Sequence, residues 1–264
     1  MDIKLILADI DGTLLNTKKE VTPKTREAIN TLNQKGIRFG IATGRSPYAV
    51  KNLVYEWDIG ESTDLILGFN GGSTLDLHTM EMTSAFLLSG KAIPEIHKDF
   101  AGFDYNLGIY DMETFHCTKD DARGRGTANS NHFTFILDDL SQYVSSEVNK
   151  ILLMAEPEEI VKILKRYDEV QPSLYHAFPS GADRLEIINP DISKSKGIAV
   201  LCEKYGYTKE QVVTIGDMMN DYEMIRDYVG VAMGNGDQRV KDVAKFVTAS
   251  NDEDGIALFI ERYL

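Results

Sequence analysis

The chain has 264 residues, 43% hydrophobic and 26% charged, the profile of a soluble globular protein long enough for one large α/β domain or a domain with a sizeable insertion. Its 41 acidic and 28 basic residues leave a formal net charge of -13, which argues against nucleic acid as a partner, because phosphate backbones are held by basic surfaces. No apolar run reaches the roughly 20 residues of a membrane helix, and no basic segment followed by an apolar stretch opens the sequence, so no membrane partner and a cytoplasmic location are expected.

Taken in order, the apolar run Ile3 to Ala8 reads as a strand buried on both faces of a parallel sheet. Asp9 and Asp11 follow at its carboxyl end. If the chain stays extended, both side chains point to the same side, and Gly12 then lets it turn away. Two like charges so placed disturb each other's pKa, an arrangement found where a cation or a reaction exploits it. The alternative is a solvated Asp-Gly turn.

Thr22-Pro23 is a cap followed by proline at the first helical position, and Ala28, Ile29 and Leu32 keep helical spacing until Gly36. Ile37 to Ala42 is a second strand, ending in Thr43-Gly44-Arg45. Ser46-Pro47 starts another helix, and the strand Asp64 to Phe69 runs into the turn Asn70-Gly71-Gly72. This β-α-β-α-β order predicts a parallel sheet with right-handed crossovers.

From Ser84 to Ile188 the rhythm breaks. A helix (Lys91 to Phe100), strands at Tyr105 to Tyr110 and Thr114 to Cys117, a polar Gly-rich stretch, a strand (Ile151 to Ala155), a helix (Glu158 to Tyr167) and strands at Ser173 to Phe178 and Arg184 to Ile188 predict an α+β insertion with an antiparallel sheet. The β-α rhythm then resumes: helix Ser193 to Tyr205, strand Gln211 to Ile215, helix Asp221 to Asp227, strand Val229 to Met233, helix Asp237 to Lys245, strand Phe246 to Thr248 and helix Gly255 to Tyr263. The expected architecture is α/β: a doubly wound parallel-sheet, Rossmann-like core built from residues 1–83 and 189–264, carrying an inserted cap of residues 84–188. Cys117 and Cys202, far apart and in no metal-like spacing, suggest neither a disulfide nor a zinc site.

In open α/β sheets, ligands bind beyond the carboxyl ends of the strands. Those ends carry Asp9 and Asp11, then Thr43-Gly44, then Gly216-Asp217 with Asn220-Asp221 close behind. Such a set, without histidine or thiolate, suits a hard cation with oxygen ligands, and magnesium is the usual ion where phosphate is also bound.

Asp9-Ile10-Asp11-Gly12-Thr13-Leu14 resembles the first motif of the haloacid dehalogenase (HAD) superfamily, Thr43 its second, Lys194 its third and Gly216-Asp217-Met-Met-Asn220-Asp221 its fourth, in the family's order. Val231-Ala-Met-Gly-Asn235 and Asn251-Asp-Glu-Asp-Gly255-Ile are similar to the Cof-type subfamily, which carries a large α/β cap (type IIB) between the second and third motifs. The resemblance implies that Asp9 attacks a phosphoryl group and becomes an aspartyl phosphate, and that Asp11 acts as general acid and then general base. It implies that Thr43 and Lys194 hold phosphoryl oxygens, and that Mg2+ is held by Asp9, the Asp11 backbone carbonyl and Asp217, with Asp221 in support. Gly44, Arg45, Asn70 and Asn220 are further candidates for contact with the phosphate group.

Arg45 has an alternative as the partner of a surface acid, and Asn70-Gly71 as a turn. Arg123 and Arg125, among glycines of the insertion, are either a loop contacting an anionic substrate or a solvated loop. Two lysines compete for the third motif. Ile198, Leu201, Cys202 and Tyr205 define the buried face of their helix; at about 100° per residue Lys194 projects near that face and Lys196 nearly opposite. The implied function is a Mg2+-dependent phosphatase acting on a small phosphorylated metabolite such as a sugar phosphate, nucleotide or phosphorylated cofactor. The alternatives are a phosphomutase of the same superfamily or a non-catalytic regulator that binds the phosphorylated metabolite. Nothing in the sequence specifies an oligomeric state.

Overall fold

The computed structural model describes residues 2–264. In chain order its elements are β1 (Leu5–Ala8), α1 (Pro23–Leu32), β2 (Arg38–Ala42), α2 (Pro47–Glu56), β3 (Leu65–Gly68), β4 (Ser73–Asp76), β5 (Met82–Ser84), β6 (Leu88–Ser89), α3 (Ala92–Asp99), β7 (Asn106–Asp111), β8 (Thr114–Cys117), α4 (Ala122–Ser130), β9 (Thr134–Leu137), β10 (Glu147–Val148), β11 (Ile151–Met154), α5 (Pro157–Val170), β12 (His176–Gly181), β13 (Arg184–Ile188), α6 (Lys194–Tyr205), β14 (Val212–Gly216), α7 (Tyr222–Asp227), β15 (Val229–Ala232), α8 (Gln238–Val243), β16 (Phe246–Val247) and α9 (Gly255–Tyr263). The chain forms two compact units, one running to Ala85 and resuming at Ser193, the other spanning Phe86–Ile192. Among the described residues, no helix is long and apolar enough to cross a membrane.

The first unit is an eight-stranded sheet in the order β16-β15-β14-β1-β2-β3-β4-β5. Its strands are parallel from β16 to β3, and β1 is central, with Leu7 opposite Thr214 on one side and Gly40 on the other. Every residue of β1 is buried, as its unbroken apolar run requires. Alternate residues feed two cores. Ile6, Ala8, Phe39 and Ile41 pack with Ala28 and Ile29 of α1 and Phe259 and Ile260 of α9, while Leu5, Leu7, Leu65 and Val212 pack with Ile198 and Leu201 of α6 and Met224 of α7. Helices on both faces make this a doubly wound α/β sheet. Beyond β3 the sheet continues as an antiparallel hairpin, β4 and β5, where the sequence pattern suggests only turn and linker.

The inserted unit has a six-stranded sheet in the order β12-β13-β11-β7-β8-β9, with β8 and β9 its one parallel pair, and a small β10-β6 ladder. One face packs Leu107, Ile109, Ile151 and Leu153 against Ile93 and Ile96 of α3 and Ile160 and Ile163 of α5. The polar Gly-rich stretch, expected as a loop, is instead a helix, α4, followed by a further strand, β9. Asp121 caps α4 by accepting from Gly124 N at 2.8 Å. Gly124 is there for close packing: a Cβ at that position would lie 3.0 Å from Cys117 Sγ and 3.1 Å from Phe135. Thr127 Oγ1 reaches Met154 Sδ at 3.6 Å, so α4 covers the sheet face opposite Leu153.

Candidate active site

Three neighbouring parallel strands, β2, β1 and β14, end side by side and deliver Thr43, Asp9 and Asp217 to one edge of the sheet. Lys194 is the first residue of α6, whose cap is Ser193. It is only 1% exposed, whereas Lys196 is exposed. Lys194 Nζ donates to Asp9 Oδ1 and to Asp221 Oδ1, both at 2.6 Å. Asp221 is wholly buried, and its Oδ2 accepts the backbone N–H groups of Asp217 (3.1 Å) and Met218 (3.2 Å). Both oxygens of Asp221 are therefore engaged in orienting the lysine and the loop that carries Asp217.

Asp217, 5% exposed, accepts the hydroxyl of the buried Thr13 on Oδ1 at 2.8 Å. Gly12, at φ 81°, passes so close that a Cβ there would collide with Asp217 Oδ2, so glycine is required for both torsion and space. Burial pushes Asp9 up to about 7, the charges of Asp221 and Asp217 adding to it against the pull of Lys194. Burial likewise raises Asp217 to about 6, the Thr13 hydroxyl opposing and Asp221 adding. Burial would lower Lys194, but Asp221 and Asp9 outweigh it and hold the ammonium above its ordinary value.

Among the described residues, Asp9, Asp217 and Asp221 are the acids whose oxygens converge, all within 4.8 Å of one another. Three carboxylates facing one lysine leave an excess of buried negative charge, and an all-oxygen donor set of that charge fits a hard divalent cation.

Asp11 is placed differently from the extended-strand expectation. The strand stops at Ala8 and the chain turns at once, with Leu14 N donating to Asp9 O at 3.2 Å and Leu15 N to Ile10 O at 2.9 Å. Asp9 thus points into the buried cluster, while the half-exposed carboxylate of Asp11 accepts from Arg45 at 2.6 Å and Lys19 at 3.0 Å. Burial works against it, but these two cations hold Asp11 below the usual carboxylate range. Thr43 is buried, and its Oγ1 accepts Arg45 N at 3.2 Å. Asn70, at φ 57°, donates its N–H to Thr43 O at 3.0 Å and lays its side chain against Gly44. Asn220 is exposed on the turn Met219–Asp221.

The sequence model of the haloacid dehalogenase-like hydrolases matches residues 6–260. The chain belongs to this family. A solved haloacid dehalogenase-like hydrolase from Bacteroides thetaiotaomicron is 30% identical to it, with a TM-score of 0.88 over 99% of this chain and 100% of that one. A protein of Thermotoga maritima, 24% identical, shares the fold with a TM-score of 0.86 over 99% and 98% of the two chains. Among curated relatives, a 5-amino-6-(5-phospho-D-ribitylamino)uracil phosphatase of Bacillus subtilis is 29% identical over 266 residues, 98% of this chain and 97% of its own. The protein is an enzyme, a phosphatase of the HAD type.

Residues that sequence reasoning misses also contact the site of this HAD hydrolase. Thr13 lies in plain view inside the first motif, as a hydroxyl next to the required glycine. Lys19 carries no signal, since its contact with Asp11 arises only because the chain folds back after Leu15. Asn235 and Asn251 lie in the subfamily-like runs, and both hydrogen-bond to the acidic turn.

Proposed function

We propose that this phosphatase hydrolyses the phosphomonoester of a small metabolite with Mg2+ as cofactor, through an aspartyl phosphate on Asp9. The observation that carries the reading is the buried Lys194 bonded to Asp9 at the end of the central strand, with Asp217 beside it. A carboxylate can approach an anionic phosphate only where cations offset the repulsion. Asp9, Asp217 and the Asp11 carbonyl would hold Mg2+, and the bound ion would offset the charge of the transferring phosphoryl group.

Asp9, aligned through Oδ1 by Lys194, attacks phosphorus as the ester P–O bond breaks. Lys194 and the Thr43 hydroxyl hold phosphoryl oxygens, with Gly44, Arg45, Asn70 and Asn220 at the rim of the same turns. Asp11 donates a proton to the leaving oxygen, then takes one from the water that cleaves the phosphoaspartate and restores Asp9. Held by Arg45 and Lys19, Asp11 is in the carboxylate form suited to the second step. The first step needs a protonated Asp11, a state favoured once an anionic phosphate draws those cations toward itself.

The inserted unit selects the substrate in this reading. The named substrate of the Bacillus relative, a phosphorylated polyol carrying a pyrimidine ring, supports a hydroxylated phosphometabolite as the class to test first. Phosphate release from p-nitrophenyl phosphate should require Mg2+ and fall by roughly a thousandfold or more in Asp9→Asn. A panel of sugar, polyol and nucleotide phosphates then ranks substrates. Full activity of Asp9→Asn, or in excess chelator, would overturn the mechanism.

A further inference from the structure

Two runs remain without a chemical assignment, Val231 to Asn235 and Asn251 to Ile256. We propose that Asn235 and Asn251 are positioning residues for the cation site: they fix the glycine hinge of the acidic turn and hold that turn in register with Asp217. The inference rests on the cation reading given above.

Asn235 Nδ2 donates to the Gly12 carbonyl at 2.8 Å. Asn251 N donates to Asn235 Oδ1 at 3.0 Å, and Asn251 Nδ2 donates to the Leu15 carbonyl at 2.8 Å. One chain of hydrogen bonds therefore grips the turn at two carbonyls. Farther along, Asp252 Oδ1 accepts the backbone N–H and the hydroxyl of Thr17, at 2.9 and 3.0 Å, and Asp254 accepts the hydroxyl of Thr22.

The grip matters because of what Gly12 must be. Contact with Asp217 Oδ2 excludes any side chain there, and glycine is the least restrained residue in a backbone. Free rotation at Gly12 would move Asp11 on one side relative to Thr13, the hydroxyl partner of Asp217, on the other. A hydrogen bond to the Gly12 carbonyl restricts that freedom from outside the turn, adding to the turn's own bonds from Leu14 N to Asp9 O and from Leu15 N to Ile10 O. The same loop also holds the opposite wall: Asp237 N donates to the Asp217 carbonyl at 2.8 Å, and Gly236 packs against that carbonyl so closely that a Cβ there would lie 2.9 Å from it. One loop after β15 thus sets both acidic segments, acting through backbone carbonyls rather than through the carboxylates it aligns.

The test compares Asn235→Ala and Asn251→Ala with the unaltered protein. Three measurements are made: Mg2+ affinity by calorimetry without substrate, hydrogen exchange of residues 10–17 in metal-free protein, and steady-state kinetics giving kcat and KM for p-nitrophenyl phosphate. Loss of an outer support of this kind typically weakens metal binding by about tenfold or more. Faster exchange across residues 10–17, about tenfold weaker Mg2+ binding in Asn235→Ala and a lower kcat at unchanged KM are expected. Unchanged Mg2+ affinity, with or without faster exchange, overturns the proposal. A rise in KM alone also overturns it, making Asn235 a substrate contact. An unaltered protein that binds no Mg2+ refutes the cation reading itself, a result distinct from normal binding that the substitutions leave intact.

Discussion

Lys194 and Asp221, both shielded from solvent, meet at 2.6 Å, and the same ammonium lies 2.6 Å from Asp9. The lysine is therefore held between two carboxylates that reach it from different loops, and its direction is fixed before any ligand arrives. Such preorganisation is what makes a cation effective toward charge that develops during a reaction.

Removing this lysine strands two buried acids. Breaking a buried pair by deleting one partner costs about 3–5 kcal/mol, so Lys194→Ala should lower the melting temperature as well as abolish nearly all phosphatase activity. Lys196→Ala, on the exposed side of α6, should keep most of both. A side-by-side assay and thermal melt check this, and the reverse pattern would assign the third motif to Lys196.

The acid cluster predicts a link between protons and metal. Free aspartate titrates near 3.8, but folding raises Asp9 to about 7 and Asp217 to about 6. Between these limits the folded metal-free chain keeps protons that the unfolded chain has released, so the stability these two groups contribute falls as pH rises. Asp217→Asn should flatten part of that fall, measured as the difference in melting temperature between pH 5 and pH 8. Because Mg2+ takes the ionised carboxylates, its uptake near pH 6 should release protons, seen by calorimetry in buffers of different ionisation enthalpy. Proton-neutral binding would contradict the raised values.

Two glycines separate torsion from space. Gly36 has φ 69° and open space, with nothing within 4 Å of where a Cβ would stand, whereas Gly12 has φ 81° and Asp217 against it. Forcing an L-residue into this region costs about 1–3 kcal/mol. Gly36→Ala should show that loss with activity unchanged, while Gly12→Ala should also weaken Mg2+ binding, as denaturant unfolding and calorimetry would reveal.

The arginines of α4 are not equivalent. Arg125 is exposed and paired with Asp120 at 2.5 Å, a solvated surface contact that is screened by water and salt. Arg123 pairs with Glu156 at 2.5 Å and, with Thr127, Ser130, Asp183 and Arg184, lines a cavity of about 630 Å³. Arg123→Ala should reorder preference among phosphorylated substrates and Arg125→Ala should not; equal effects on every substrate would remove this cavity from substrate selection.

What the sequence determined by itself is what local periodicity and capping control. The apolar run around Leu5 to Ala8, proline after a threonine cap at Pro23, the glycine stop at Gly206 and the phase of α6 each depend on residues within a few positions, so strand, helix and the choice of Lys194 over Lys196 as the buried lysine were readable. Tertiary structure decided what joins distant segments. Lys194 meets Asp9 across 185 residues and Asn235 meets Gly12 across 223, and no spacing announces either contact. Packing also overrode local signals: Gly124 reads as loop but sits in a helix packed tightly on Cys117 and Phe135, and Asp11 turns to Arg45 and Lys19 because the strand ends one residue before Asp9. Propensity describes a residue among its neighbours in the chain, whereas the chemistry of this site depends on which loops the completed sheet brings to the end of its central strand.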